Sequence, residues 1–235
     1  MIKDTSSYQH NLYSLTNVIS DLLQQSKPDL DIAKNLTEEI IALCSDSTVI
    51  LVIYEDLEEI IKLLLLSEYI ETTWPIFGNA IISGEFHVSY CLEYILGSEA
   101  SAGNWVPSPL ESIQLPLLYQ WCEDNPDRAP IFLANVILPL INVDQQIIWS
   151  PLAKYLINNY GDDEKVLKGL TNKISNFSWI GSAGPYYETW LNNFTTLLTH
   201  SNPHVKRWAQ INIEALRDKI QATEREDEED ELYRG

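Results

Sequence analysis

Trp179-Ile180-Gly181-Ser182-Ala183-Gly184-Pro185-Tyr186-Tyr187 opens the part of this 235-residue chain that decides its fold class. Tyr187, Trp190, Leu191, Phe194, Leu197 and Leu198 then recur at helical spacing as far as His200. Ser201-Asn202-Pro203 interrupts the pattern, with Asn202 suited to an N-cap and Pro203 to the first helical turn. Val205, Trp208, Ala209, Ile213, Leu216 and Ile220 resume it on an arc of roughly 140° at 100° per residue, with Arg207, Glu214 and Asp218 opposite. Two amphipathic helices joined by a short break make a helical hairpin. Its apolar stripes need neighbouring hairpins to cover them, so the stretch predicts stacked helices that work through their surface.

The same periodicity runs outward from there. Leu12, Leu15, Ile19, Leu22 and Leu23 form one stripe; Ile32, Ala33, Leu36, Ile40 and Leu43 form the next, after the Lys27-Pro28 break. Asp56 is placed to cap a helix with Leu57, Ile60, Ile61 and Leu64 inward. Val49 to Ile53 suits a strand or a short buried helix, and the flanking helices favour the second. Ile70, Trp74, Phe77 and Ile81 share a face, with Pro75 near the helix start; Val88, Cys91, Leu92, Ile95 and Leu96 share another. Gly97 to Pro109 reads as irregular. Pro116 opens a helix through Trp121, and Phe132, Leu133, Val136, Ile137 and Leu140 follow Asn125-Pro126. Trp149, Leu152, Ala153, Leu156 and Tyr160 line a helix stopped by Gly161, and Val166, Leu167, Leu170 and Ile174 line its successor.

The expectation is an all-α fold of roughly ten helices stacked as antiparallel hairpins into an irregular α-solenoid. Residues 1–97 form N-terminal hairpins, 98–109 a loop or hinge, 110–222 C-terminal hairpins and 223–235 an acidic tail that frays or projects into solvent.

The charge narrows the partners. Thirty-four acids against 15 bases give −19, and no cluster of Lys and Arg is present to neutralise phosphates, so direct nucleic-acid contact is not expected. A basic protein partner is. The apolar run Val49 to Leu66 carries Glu55, Asp56, Glu58 and Glu59, too much charge for a membrane span. Cys44, Cys91 and Cys122 are few and far apart, and the first residues lack a signal-peptide core; both suit a reducing cytoplasm.

Catalytic chemistry finds little purchase. His200 and His204 are four apart but Pro203 breaks the helix between them, and no third ligand completes a metal set. The carboxylates Glu38-Glu39 and Glu55 to Glu59 lie on helices whose apolar faces point elsewhere, so they read as solvated. Ser182 follows Gly181 directly, without the Gly-x-Ser-x-Gly spacing of a nucleophile elbow. No phosphate-cradling Gly-x-x-x-x-Gly-Lys occurs. No cofactor or metal is expected, and no enzyme. The aromatics Trp105, Trp179, Tyr186 and Tyr187 are the candidates for partner contact, the competing reading being that such rings plug gaps between hairpins.

Residues 68 to 222 resemble the HEAT-like C-terminal helical region of large bacterial proteins of defence and conflict systems. The likeness rests on Trp74 to Gly78, Leu92 to Gly97, Trp121 to Pro126, Trp149 to Leu152, Asn159 to Gly161, Phe177 to Ser182, Tyr186-Tyr187 and His200 to Ala209. It implies that Arg207, with Trp208 beside it, stacks adjacent repeats through an acid. The NTPase domain of those larger proteins has no counterpart in this sequence. The function expected is a non-catalytic adaptor or sensor module in bacterial antiviral defence. The alternative is an acidic inhibitor or immunity-type protein that blocks a basic nuclease or toxin. An all-α hydrolase is the third reading and rests on the carboxylates alone.

Overall fold

The computed structural model of the chain describes residues 19, 21–23, 29–45, 50–66, 68–97, 99–101, 104–106, 108–144, 146–175 and 183–234, with the side chains of 50–56, 99–106 and 226–234 left aside. These residues are mostly helical. The chain divides into two compact units, one of Met1–Ser98 with Pro107–Val136 and one of Glu99–Val106 with Ile137–Gly235.

In the first unit α1 (Leu30–Ser45) is followed by α2 (Ile50–Leu64), α3 (Ile70–Ser83) and α4 (Phe86–Leu96). A 3₁₀ turn (Pro109–Ser112) then leads into α5 (Leu115–Asp124) and α6 (Ala129–Val136). Helix α2 begins at Ile50, so Ile50 to Ile53 of the ambiguous apolar run form its first turn, and Asp56 falls in its interior rather than at its start. Pro75 falls in the second turn of α3, deeper than the first-turn positions where proline is free of cost. Helix α3 stops at Gly84, whose φ of 85° is a left-handed conformation that glycine adopts without a Cβ penalty.

Helix α4 packs on α1, α2, α3 and α6. Its inward residues Val88, Cys91, Leu92, Ile95 and Leu96 are buried, as their spacing predicts. Side-chain hydroxyls pin the joints. Thr73 donates to the Leu64 carbonyl at 2.6 Å, Ser89 to the Ile81 carbonyl at 2.9 Å, and Tyr69 to the Leu23 carbonyl at 2.5 Å. Gly78 leaves room for Trp121, because a Cβ there would sit 2.8 Å from the indole nitrogen.

The second unit holds two short antiparallel hairpins that the helical periodicity does not predict. One is β1 (Glu99–Ser101) with β2 (Asn104–Val106), inside the stretch expected to be irregular. The other is β3 (Leu140–Val143) with β4 (Gln146–Trp149), where Val143 pairs with Gln146 and Asp144 takes a φ of 49°. Aspartate tolerates that left-handed turn better than most residues. Trp149 therefore ends a strand, and the helix expected around it, α7 (Pro151–Tyr160), starts after Ser150, whose Oγ accepts from the Ala153 N–H.

Next come α8 (Glu164–Ser175), α9 (Gly184–Thr196), a 3₁₀ turn (Leu197–Thr199) and α10 (Pro203–Arg234). Gly161 follows α7 in right-handed backbone, so conformation is not its reason. Space is: a Cβ there would overlap the Ile157 carbonyl and the Val205 side chain. The acidic run from Glu224 to Glu231 continues α10 rather than fraying. Extending a formed helix fixes one residue per bond, and glutamate is a good helix former.

Helices α9 and α10 pack on each other, with Asn202 Oδ1 accepting from the His204 N–H at 2.8 Å. Trp149, Phe194 and Trp208 meet behind them with ring centroids 5.0 to 5.9 Å apart. Asn193, buried among them, donates to the Ile147 and Thr189 carbonyls, while its own carbonyl accepts the Trp149 indole N–H.

Candidate protein-binding surface

The outward face of α4 carries Phe86, Tyr90 and Tyr94, one helical turn apart, with 73%, 59% and 56% of their surface exposed. At 100° per residue the three fan over roughly 80° of the helix, opposite the buried residues. The Phe86 and Tyr90 rings stack with centroids 6.0 Å apart and planes 16° from parallel, and His87 lies edge-on to Phe86 at 5.6 Å. Rings are rigid and bury large area for little lost freedom, which makes a ridge of them a natural anchor for a partner.

One acid adjoins the ridge. Exposed Glu85 precedes Phe86 in the chain. Ile82, at the end of α3, lines a 260 Å³ cavity with Asp124, Asn125, Pro126, Asp127 and Arg128. Arg128 is held by that helix end, donating to the Ile82 carbonyl at 2.8 Å, and Gln120 donates to Asp124 at 3.0 Å. Terminal carbonyls of a helix favour such a cation.

The residues singled out from sequence are not brought together. Trp179 and Ser182 lie outside the described residues. Trp105 is in β2, opposite Ala100. Tyr186 is half-buried near the start of α9. Tyr187 is buried, edge-on to Trp190 at 5.5 Å with the Lys219 ammonium 5.5 Å from its ring centre, so it belongs to the packing of α9 on α10 and not to a contact face. Arg207 is exposed and makes no ion pair among the described residues. Trp208 does join neighbouring helices: it is buried and donates to Thr171 on α8 at 2.8 Å.

The histidine pair serves the joints. His200 Nδ1 accepts from the Asn202 N–H at 3.1 Å, which leaves the Nε2 hydrogen to be donated to Asn158 at 2.9 Å. Asn202 also donates to Asp162 at 2.9 Å, so the α9–α10 joint is laced to the end of α7. His204 points to solvent. Glu38, Glu39 and Glu59 are exposed. Among the described residues no cluster of His, Cys, Asp and Glu is placed to hold a metal ion, and no helix is long and apolar enough to cross a membrane.

All three thiols are buried. Burial, with the Glu123 charge adding to it, pushes Cys122 up to about 12. Cys44 and Cys91 stand sulfur to sulfur at 2.7 Å. Their mutual hydrogen bond lowers Cys91 and raises Cys44.

No protein family, curated protein or solved structure matches the chain. The aromatic ridge escaped the periodicity argument because that argument follows inward residues. The signal was present in Phe86, Tyr90 and Tyr94, three rings at i, i+4 and i+8 on the opposite side of a helix already recognised.

Proposed function

We propose that this chain is a non-catalytic, protein-binding helical module whose contact surface is the Phe86–Tyr90–Tyr94 ridge. Exposure of those three rings on one helix face carries the reading. The partner segment is apolar with interspersed Lys or Arg, since cations sit well over aromatic faces and beside Glu85. The excess of 34 acids over 15 bases favours the same partner at long range. The helices stack as antiparallel hairpins in an irregular solenoid, and the module acts as an adaptor or sensor. Its setting in bacterial antiviral defence is supported by the sequence resemblance of residues 68 to 222.

The test is affinity purification from the host at low and high salt, followed by measurement on the purified pair. Replacing Phe86, Tyr90 and Tyr94 together by alanine is expected to weaken binding by about 100-fold or more. Wild-type affinity in that variant overturns the assignment. The acid excess also favours a second reading, an inhibitor of a basic toxin. In that case neutralising acids away from the ridge weakens a tight 1:1 complex, and removing the rings does not.

A further inference from the structure

We propose that Cys44 and Cys91 form a disulfide that ties the end of α1 to the inner face of α4, with a low-molecular-weight disulfide such as oxidised glutathione as the oxidant. The two sulfurs are 2.7 Å apart, between the bonded distance of about 2.05 Å and an ordinary non-bonded contact of sulfurs. The packing already brings α1 against α4, and neither thiol has any exposed surface. Cys122 is not part of this pair.

The chemistry follows from the sharing of protons. With both protons present, either S–H can donate to the other sulfur. The first proton to leave comes from Cys91, because the Cys44 S–H stabilises the thiolate left behind. That thiolate attacks one sulfur of the glutathione disulfide, breaking its S–S bond and releasing one glutathione thiolate, which takes up a proton. Cys44 then gives up its proton and attacks Cys91 in the mixed disulfide, expelling the second glutathione. Two protein thiols are oxidised by two electrons, and one glutathione disulfide is reduced to two thiols. Because both sulfurs are buried, exchange is fast in the folding chain and slow in the folded one. The bond closes a span of 47 residues, long enough to restrict the unfolded chain substantially. It lies behind the ridge of α4 and stands whether or not that ridge binds a partner.

The experiment is refolding of the reduced chain in glutathione buffers of rising oxidised fraction, followed by alkylation and mass measurement. The expected product has one alkylated thiol in place of three, an underivatised mass lower by about 2 Da, and a peptide joining Cys44 to Cys91. Its Tm is expected to exceed that of the reduced form by at least about 5 °C. Cys122→Ser should keep the mass loss, and Cys91→Ser should abolish it. Three alkylated thiols in natively refolded chain at the most oxidising ratio overturn the proposal, as does any peptide pairing Cys122 with Cys44 or Cys91. The wild-type thiol count decides even if Cys91→Ser fails to fold.

Discussion

Trp208 donates its indole N–H to Thr171 Oγ1 at 2.8 Å, and that bond ties α10 to α8 inside the second unit. Thr171 passes its own hydrogen to the Leu167 carbonyl, so one hydroxyl serves both helices. Thr171→Val keeps the volume and removes the acceptor, leaving a buried N–H unpaired. The expected loss is about 1–3 kcal/mol of unfolding free energy, read by urea denaturation.

Gly161 and Gly84 should respond to alanine for different reasons. At Gly161 the backbone accepts alanine but the new methyl meets the Ile157 carbonyl and Val205, an overpacking cost of about 1–3 kcal/mol. At Gly84 the φ of 85° costs about 1–2 kcal/mol, and the new methyl also meets the Arg128 guanidinium, which must give up its bond to the Ile82 carbonyl to move away. Shortening Val205 to alanine should therefore rescue Gly161→Ala in part and leave Gly84→Ala unchanged, measured as Tm.

Asn202→Ala removes both the cap on α10 and the bond to Asp162. A loss of about 1–2 kcal/mol is expected, with faster amide exchange confined to the first turn of α10.

Alkaline pH should expose Cys122. Its folded value of about 12 exceeds the ordinary 9.0, so the folded state holds this proton more tightly than the unfolded chain does. That contribution to stability is fully present below pH 9 and is lost as pH rises toward about 12. Cys122→Ala should flatten the part of the decline in denaturation midpoint that falls between those pH values, if the remaining titration is unchanged.

Single alanines at Phe86, Tyr90 or Tyr94 should shift stability by less than about 0.5 kcal/mol, because these rings are largely solvated. The same changes should each weaken partner binding by about tenfold or more. A stability loss comparable to that of a core residue, seen by calorimetry, would place the ridge in the fold instead.

The helical hairpin at the end of the chain was legible because its stripes span many residues and its joint carries Asn202-Pro203, a strong start signal. The β3–β4 hairpin was not. Its strands are four residues each, too short to establish a period of two, and Asp144-Gln145 lacks the glycine that usually announces such a turn. Trp149 stands three residues before Leu152, which is helical spacing by coincidence. The ridge shows a further limit of periodicity. A pattern that marks what is buried leaves its complement unread.

Trp121 gives the first unit an optical signature. Its ring is caught between Trp74 at 5.0 Å and Phe132 at 6.1 Å, and its buried indole nitrogen faces Gly78 with no hydrogen-bond partner among the described residues. An indole shut away from water and from acceptors cannot relax its excited dipole, so its fluorescence stays at the blue edge of the spectrum. Trp149 and Trp208 in the second unit are hydrogen-bonded and should emit further to the red. The blue edge of the emission therefore reports on Trp121, and the melting of the first unit can be followed there in the unlabelled protein.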